Sequence, residues 1–144
     1  MKKVIVAVDG SKYSEKVFKF TMERAKELDY RLTFLQVVPC QGYGGECIEK
    51  GLENEVEKAE QFTSKLKNRA ADEGIDAKNE VITGIDVSNE IVKYADENQY
   101  GLIIVGGKGE SDLGTVQLGS IAEGVVSRAT ASVLVVHWNR KLGV

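Results

Sequence analysis

The chain has 144 residues, a formal net charge of −3 and a sequence pI near 5.3, a balance that speaks against a general nucleic-acid binder with its basic stripe. With 42% hydrophobic and 28% charged residues the composition predicts one domain able to bury a core. No apolar stretch approaches the about 18 residues of a membrane span, and Lys2-Lys3 lead straight into a strand-like run without a signal segment, so the expectation is a cytoplasmic protein without a membrane partner.

Residues 3–8, KVIVAV, are a near-continuous apolar run, the pattern of a strand buried on both faces. Asp9-Gly10-Ser11 ends it. A helix is predicted over 13–28, with Val17, Phe18, Thr21, Met22, Ala25 and Leu28 inward and Ser11 or Ser14 as N-cap. The second strand covers 31–38 and is stopped by Pro39. Residues 40–51, with glycines at 42, 44, 45 and 51, read as a mobile loop. A long helix follows over 52–73, with Leu52, Val56, Ala59, Phe62, Leu66 and Ala70 as its stripe and Gly74 as C-cap. A weaker third strand covers 77–83. Asp86 caps a helix over 87–98 that turns Val87, Ile91, Val92 and Ala95 inward. The fourth strand covers 101–106, a loop 107–118, a short helix 120–129 and the fifth strand 132–138.

Strands and helices thus alternate, which predicts an α/β fold: one open five-stranded parallel sheet, Rossmann-like, with helices on both faces. The first and fourth strands are the most apolar and belong at the centre, so the predicted order is 3-2-1-4-5. Winding then reverses between strands one and four, and ligands bind beyond the carboxyl ends of strands at such a point. Asp9 ends strand one there, and Gly106 ends strand four.

The stretch VGGKGESDLGTVQLGSI lies at that same point. Gly106, Gly109 and Gly119-Ser120 follow a G-2x-G-9x-G-S spacing. Glycines let backbone approach a bound group closely. A Gly-Ser pair opening a helix offers unpaired N–H groups and a hydroxyl to an anion. The pattern reads as a phosphate-binding loop, and it is neither the P-loop nor the dinucleotide fingerprint.

With these residues in place the chain resembles the universal stress protein family over essentially its whole length: KVIVAVDGS at the start, VVP after strand two, and LIIVG…GSIAEGVV…VLVVHW at the end. In that family the glycine signature marks the ATP-binding branch. The resemblance implies that Asp9 holds the ribose hydroxyls, that Ala7 and the Val37–Val38 edge wall and hydrogen-bond adenine, and that Gly106 and Gly109 wrap ribose and phosphates. Gly119, Ser120 and the amides of Ile121 and Ala122 would take the phosphate tail. The implied cofactor is ATP, ADP or AMP, with Mg²⁺. Lys12 and Lys108 are candidate phosphate contacts. Relatives carry His and Arg around the second glycine where this chain has Lys108 and Glu110. With Asp112 also in the loop, a divalent ion is expected to offset the carboxylates, while no metal site is expected from protein groups alone.

The expected role is stress response or signalling through a protein partner that senses the bound nucleotide. A slow ATPase or nucleotidyl transferase and a nucleotide-free protein-binding dimer are the alternatives; no catalytic base, nucleophile or metal-ligand set is recognisable. His137 reads as a surface or interface residue. Cys40 and Cys47 share one loop and read as free thiols, with a redox-sensing pair as the alternative. Val133, Leu134, Val135 and Val136 form an apolar run on a predicted edge strand, which implies a homodimer paired through it.

Overall fold

The apolar run at the N-terminus becomes β1 (Lys2–Ala7), and Val4, Ile5 and Val6 are fully buried. The computed structural model describes residues 2–43, 46–48, 50–108 and 118–137. After β1 come α1 (Tyr13–Leu28), β2 (Tyr30–Pro39), β3 (Gln41–Tyr43), β4 (Glu46–Ile48) and α2 (Glu53–Asp72). They are followed by β5 (Ala77–Gly84), α3 (Val87–Glu97), β6 (Leu102–Gly106), α4 (Ser120–Arg128) and β7 (Ser132–Val136). β1, β2, β5, β6 and β7 form one parallel sheet in the order β5-β2-β1-β6-β7. This is the predicted 3-2-1-4-5, with β5, β6 and β7 as the third, fourth and fifth strands.

The pleat sends alternate side chains to opposite faces, and the helices cover both. On one face Val4, Val6 and Val8 of the β1 region pack with Leu32 and Phe34 under Val17, Phe18 and Met22 of α1 and Leu66 and Ala70 of α2. On the other, Ile5, Leu35 and Ile103 pack under Ile91, Val92 and Ala95 of α3 and Ala122 and Val125 of α4. Phe18 and Phe34 lie 5.7 Å apart between ring centroids; truncating such a buried ring typically costs about 3–5 kcal/mol. The buried Thr33 hydroxyl is satisfied by a 2.6 Å hydrogen bond shared with the Tyr100 hydroxyl.

Polar links set the helix positions. Thr63 Oγ1 donates to Ala59 O in α2, and Asn79 Nδ2 of β5 donates to Thr63 Oγ1 at 3.1 Å. Arg69 of α2 holds Glu15 of α1 through two bonds of 2.7 and 2.8 Å, which keeps the Glu15 carboxyl below its ordinary range. Both groups are exposed, so the pair contributes little to stability but orients the helices. Across the sheet, Arg128 of α4 reaches Asp86 Oδ2 at 3.2 Å and Ser88 Oγ at 3.1 Å. Asp86 caps α3 as predicted, accepting the Asn89 N–H at 3.2 Å.

Five expectations need correction. The N-cap position of α1 is Lys12, not Ser11 or Ser14, because Ser14 lies inside the first turn with its hydroxyl turned back to Asp9. Leu28 is exposed, although it continues the helical period of the buried α1 stripe. Pro39 is the last residue of β2 rather than its stop, paired across to Gly84. The segment expected as a mobile loop carries the antiparallel β3–β4 hairpin, in register Gln41↔Ile48 and Gly42↔Cys47. Cys40 and Cys47 are joined in a disulfide across it, so the reading of free thiols is corrected as well.

The Asp86 carboxyl is held below its ordinary range, first by the Asn89 amide, then by Ser88 and Arg128. Replacing it with alanine should cost about 1 kcal/mol in urea denaturation at pH 7, the usual worth of a cap. A lowered folded-state pKa stabilises above the unfolded carboxylate value. The difference between Asp86→Ala and the parent should therefore shrink as pH falls through the folded-state value.

Candidate functional site

The cavity at the carboxyl end of the sheet exists because β1 stops before its neighbours. β1 pairs with β2 only as far as Ala7↔Leu35, with Val8 N–H still reaching Leu35 O at 2.9 Å, while β2 continues to Pro39 along β5. On the other side β6 runs on to Gly106, paired there only with β7. The chain leaves β1 through Asp9-Gly10-Ser11, a turn that needs the left-handed φ of +81° at Gly10. The Asp9 carboxylate locks this turn: Oδ1 accepts the Ser11 N–H at 2.9 Å and the Ser14 hydroxyl at 3.1 Å. The Asp9 N–H in turn donates to Ser14 Oγ at 3.2 Å. Asp9 is thereby fixed at the mouth of the gap by its own turn.

A cavity of about 690 Å³ opens there, within the range of small-molecule sites. Ala7, Asp9, Val37 and Val38 line it from β1 and β2; Gly106, Lys108, Gly119, Ser120, Ile121 and Ala122 line it from β6 and the start of α4. The structure thus brings together every described residue expected at a nucleotide site except Lys12. The Lys12 side chain lies outside the lining, with its ammonium 5.5 Å from the centre of the Tyr13 ring. Gly109, Glu110 and Asp112 lie outside the described residues.

Three backbone features equip the cavity. In β2, Leu35 faces β1 and Cys40 faces β5, as Val8 N–H→Leu35 O and Cys40 N–H→Gly84 O show. By the alternation of the ladder, Val37 turns both its N–H and its C=O toward the gap beyond β1. This donor–acceptor pair therefore lies on the cavity wall. At Gly106 an added Cβ would lie 3.1 Å from Val17 Cγ2 and 3.2 Å from Lys108 O. The backbone approaches its neighbours there more closely than a side chain allows. Finally, α4 begins at Gly119 with no capping side chain. The Glu123 N–H is the first to return to Gly119 O, at 2.9 Å, so the N–H groups of Ser120, Ile121 and Ala122 precede the intrahelical ladder, at the positive end of the helix dipole. The Gly119 N–H donates to Gly107 O at 2.7 Å, and Gly107 N–H to Val136 O at 2.8 Å, tying the helix start to the sheet end.

Val87 and Ile91 of α3 and Val105 of β6 form the apolar floor, and Tyr13, Val17, Gln36, Ala59 and Phe62 extend the cavity between α1 and α2. Sequence reading assigned Val87, Ile91 and Phe62 to helix core stripes. The period that identifies a stripe does not say that one end of it overhangs a cleft. Glu55 and Lys58 also line the cavity. No signal in the sequence separates them from the other charges of α2. His137 is exposed, and its ring packs against Gly107, where an added Cβ would lie 2.6 Å from Nδ1. Among the described residues no group of three or more His, Cys, Asp or Glu is placed to hold a metal ion. No described helix is long and apolar enough to cross a membrane.

The model of the universal stress protein family matches residues 1–137. Universal stress protein MJ0531 of Methanocaldococcus jannaschii is 32% identical over 97% of this chain and 84% of its own length. Universal stress protein YxiE of Bacillus subtilis is 32% identical over 94% and 98%. Among solved structures, protein MJ0577 of M. jannaschii superposes with a TM-score of 0.79 at 25% identity, covering 96% of this chain and 97% of that one. A universal stress protein from Archaeoglobus fulgidus in complex with dAMP gives 0.71 at 20% identity over 94% and 97%. A family member from Arabidopsis thaliana with AMP bound gives 0.73 at 19% identity over 99% and 95%.

Proposed function

The chain belongs to the universal stress protein family, and we propose that its cavity binds an adenine nucleotide, as the ATP-binding branch of that family does. One observation carries the reading: a single cavity joins a strand-edge donor–acceptor pair, a carboxylate and an uncapped helix N-terminus. These are the three chemistries an adenine nucleotide presents. The Val37 N–H and C=O match an adenine edge, which accepts at a ring nitrogen and donates from its amino group. Asp9 is an acceptor for ribose hydroxyls. Ser120 and the amides of Ile121 and Ala122 receive phosphate oxygens, with Lys108 and the Gly106 backbone lining the same cavity. Structural neighbours that hold dAMP and AMP support the choice of base. ATP is the proposed ligand, with ADP and AMP as shorter occupants, and Mg²⁺ would enter on the phosphates rather than on a protein metal site.

The nucleotide serves as a signal. Its phosphates join the start of α4 to the loop that follows β6, and a bound state presents a different surface to a protein partner in stress response or signalling. Turnover is not part of the proposal, because a cradle that stabilises the bound ground state does not by itself position a nucleophile. A homodimer completes the reading. β7 is an edge of the sheet, and Val133, Leu134, Val135 and Val136 are only half-buried there. Among the described residues no strand pairs with the outer side of β7, and an antiparallel copy would satisfy that backbone edge.

Titration calorimetry with millimolar ATP and Mg²⁺ should give measurable heat, and absence of heat for ATP, ADP and AMP alike would sink the reading. Gly119→Val should abolish binding, because a side chain at the start of α4 would occupy the space left for the phosphates, while its far-ultraviolet circular dichroism should keep the parent's shape. Phosphate release should stay far below ~1 s⁻¹, an ordinary enzyme rate; release at or above that rate would reveal a catalytic group. Light scattering at micromolar concentration should give the mass of two chains, and Val135→Lys should shift it toward one, whereas a parent mass of one chain at every concentration rules the dimer out.

A further inference from the structure

The Cys40–Cys47 pair is a chemically reactive feature that nucleotide binding leaves unused. It stands directly beside the cavity. Pro39 lines the cavity and Cys40 follows it, its N–H bonded to Gly84 O at 2.9 Å. The disulfide spans a Cα–Cα distance of 5.7 Å and closes the β3–β4 hairpin at its base. The hairpin packs on the end of β5: an added Cβ at Gly42 would lie 2.5 Å from Ile85 Cδ1. From Cys47 the chain passes within a few residues to α2, whose first turns bring Glu55, Lys58 and Ala59 to the cavity wall. α2 starts at Leu52 without a side-chain cap. The cross-link is therefore the covalent tie between the fixed end of β2 and the start of the helix that walls the cavity.

We propose that Cys40 and Cys47 form a reversible redox modification site whose disulfide state orders the first turns of α2 and so sets nucleotide affinity. The coupling to affinity rests on the nucleotide reading above; the ordering of α2 does not. The co-reactant is a low-molecular-weight thiol–disulfide couple such as glutathione. In oxidation, the Cys47 thiolate attacks one sulfur of the glutathione disulfide and expels one glutathione thiolate. The Cys40 thiolate then attacks the mixed disulfide at Cys47 and expels the second. Two protein thiols lose two electrons and two protons, one protein S–S bond forms, and two molecules of reduced glutathione leave. Reduction runs the same steps backwards. Cys47 is half-buried whereas Cys40 is buried, so an incoming thiolate reaches Cys47 Sγ and Cys40 departs as the leaving group. The β2 end keeps its pairing with β5 through Val37↔Ile82 and Val38↔Thr83 in either state. The change is confined to the hairpin and the start of α2.

The test uses the full chain equilibrated in glutathione buffers from fully oxidising to fully reducing. The cysteine state is read by alkylation and intact mass, backbone order by amide hydrogen exchange, and affinity by calorimetry with AMP. Complete conversion between two alkylation states is expected, with exchange over residues 50–60 at least about fivefold faster when reduced and residues 32–38 unchanged. AMP should bind the reduced form roughly three- to tenfold more weakly, the cost of ordering a wall that the disulfide pre-orders. The double variant Cys40→Ser, Cys47→Ser should match the reduced parent and ignore added dithiol. Identical exchange over 50–60 in both states, equal AMP affinity in both states, or a disulfide that resists every buffer would overturn the proposal. If AMP binds neither state but exchange still separates them, the redox site stands and the nucleotide reading falls.

Discussion

The early end of β1 is the constraint on which the site depends. A central strand of a parallel sheet satisfies its backbone on both sides, and β1 does so against β2 and β6. Where it stops, both neighbours keep one unpaired edge facing a common gap. The stop is built by local chemistry: the Asp9 carboxylate accepts from the Ser11 amide and the Ser14 hydroxyl, and Gly10 adopts a conformation unfavourable to other residues. The interactions that end the strand therefore also place the carboxylate at the gap's mouth. One turn creates the cavity and supplies its first polar group.

The helices then close the gap from two sides, and each is held by a polar link away from the cavity. Arg69 and Glu15 join α2 to α1, and Arg128 with Asp86 and Ser88 joins α4 to α3. These exposed pairs contribute little stability; the buried apolar layers do that. Their effect is orientational, because Arg69 in the last turn of α2 and Arg128 in the last turn of α4 each hold a neighbouring helix. The N-terminus of α4 is held by Gly119 N–H→Gly107 O and by the sheet pairing of Gly107. Its uncapped amides are thus positioned by the backbone rather than by a mobile side chain.

The β3–β4 hairpin is the feature that sequence patterning gives no access to. Its strands are three residues long, too short for an alternation to register, and its glycines imitate a loop. Two cysteines in a glycine-rich segment give no sign of a disulfide by themselves, while pairing of Cys40 with Cys47 depends on a hairpin register that brings their backbones together. Leu28 shows the same limit from the opposite direction: it keeps the helical period of the α1 stripe, but its side chain is exposed.

Strand and helix identity, the order β5-β2-β1-β6-β7 and the position of the cleft follow from the sequence by itself. They depend on hydrophobic period, on the exceptional apolarity of β1 and β6, and on topology rules that relate winding to a crevice. Asp9, Gly106, Gly119 and Ser120 were legible because each sits at the end of an element, where residue type and backbone role coincide. The orientation of the Val37 edge, the exclusion of Lys12 and the entry of Val87, Ile91, Glu55 and Phe62 into the cavity wall were decided only by the tertiary structure. The physical reason is that a lining residue is defined by what lies opposite it. Local pattern records which side of an element faces inward, but not where the facing layer stops.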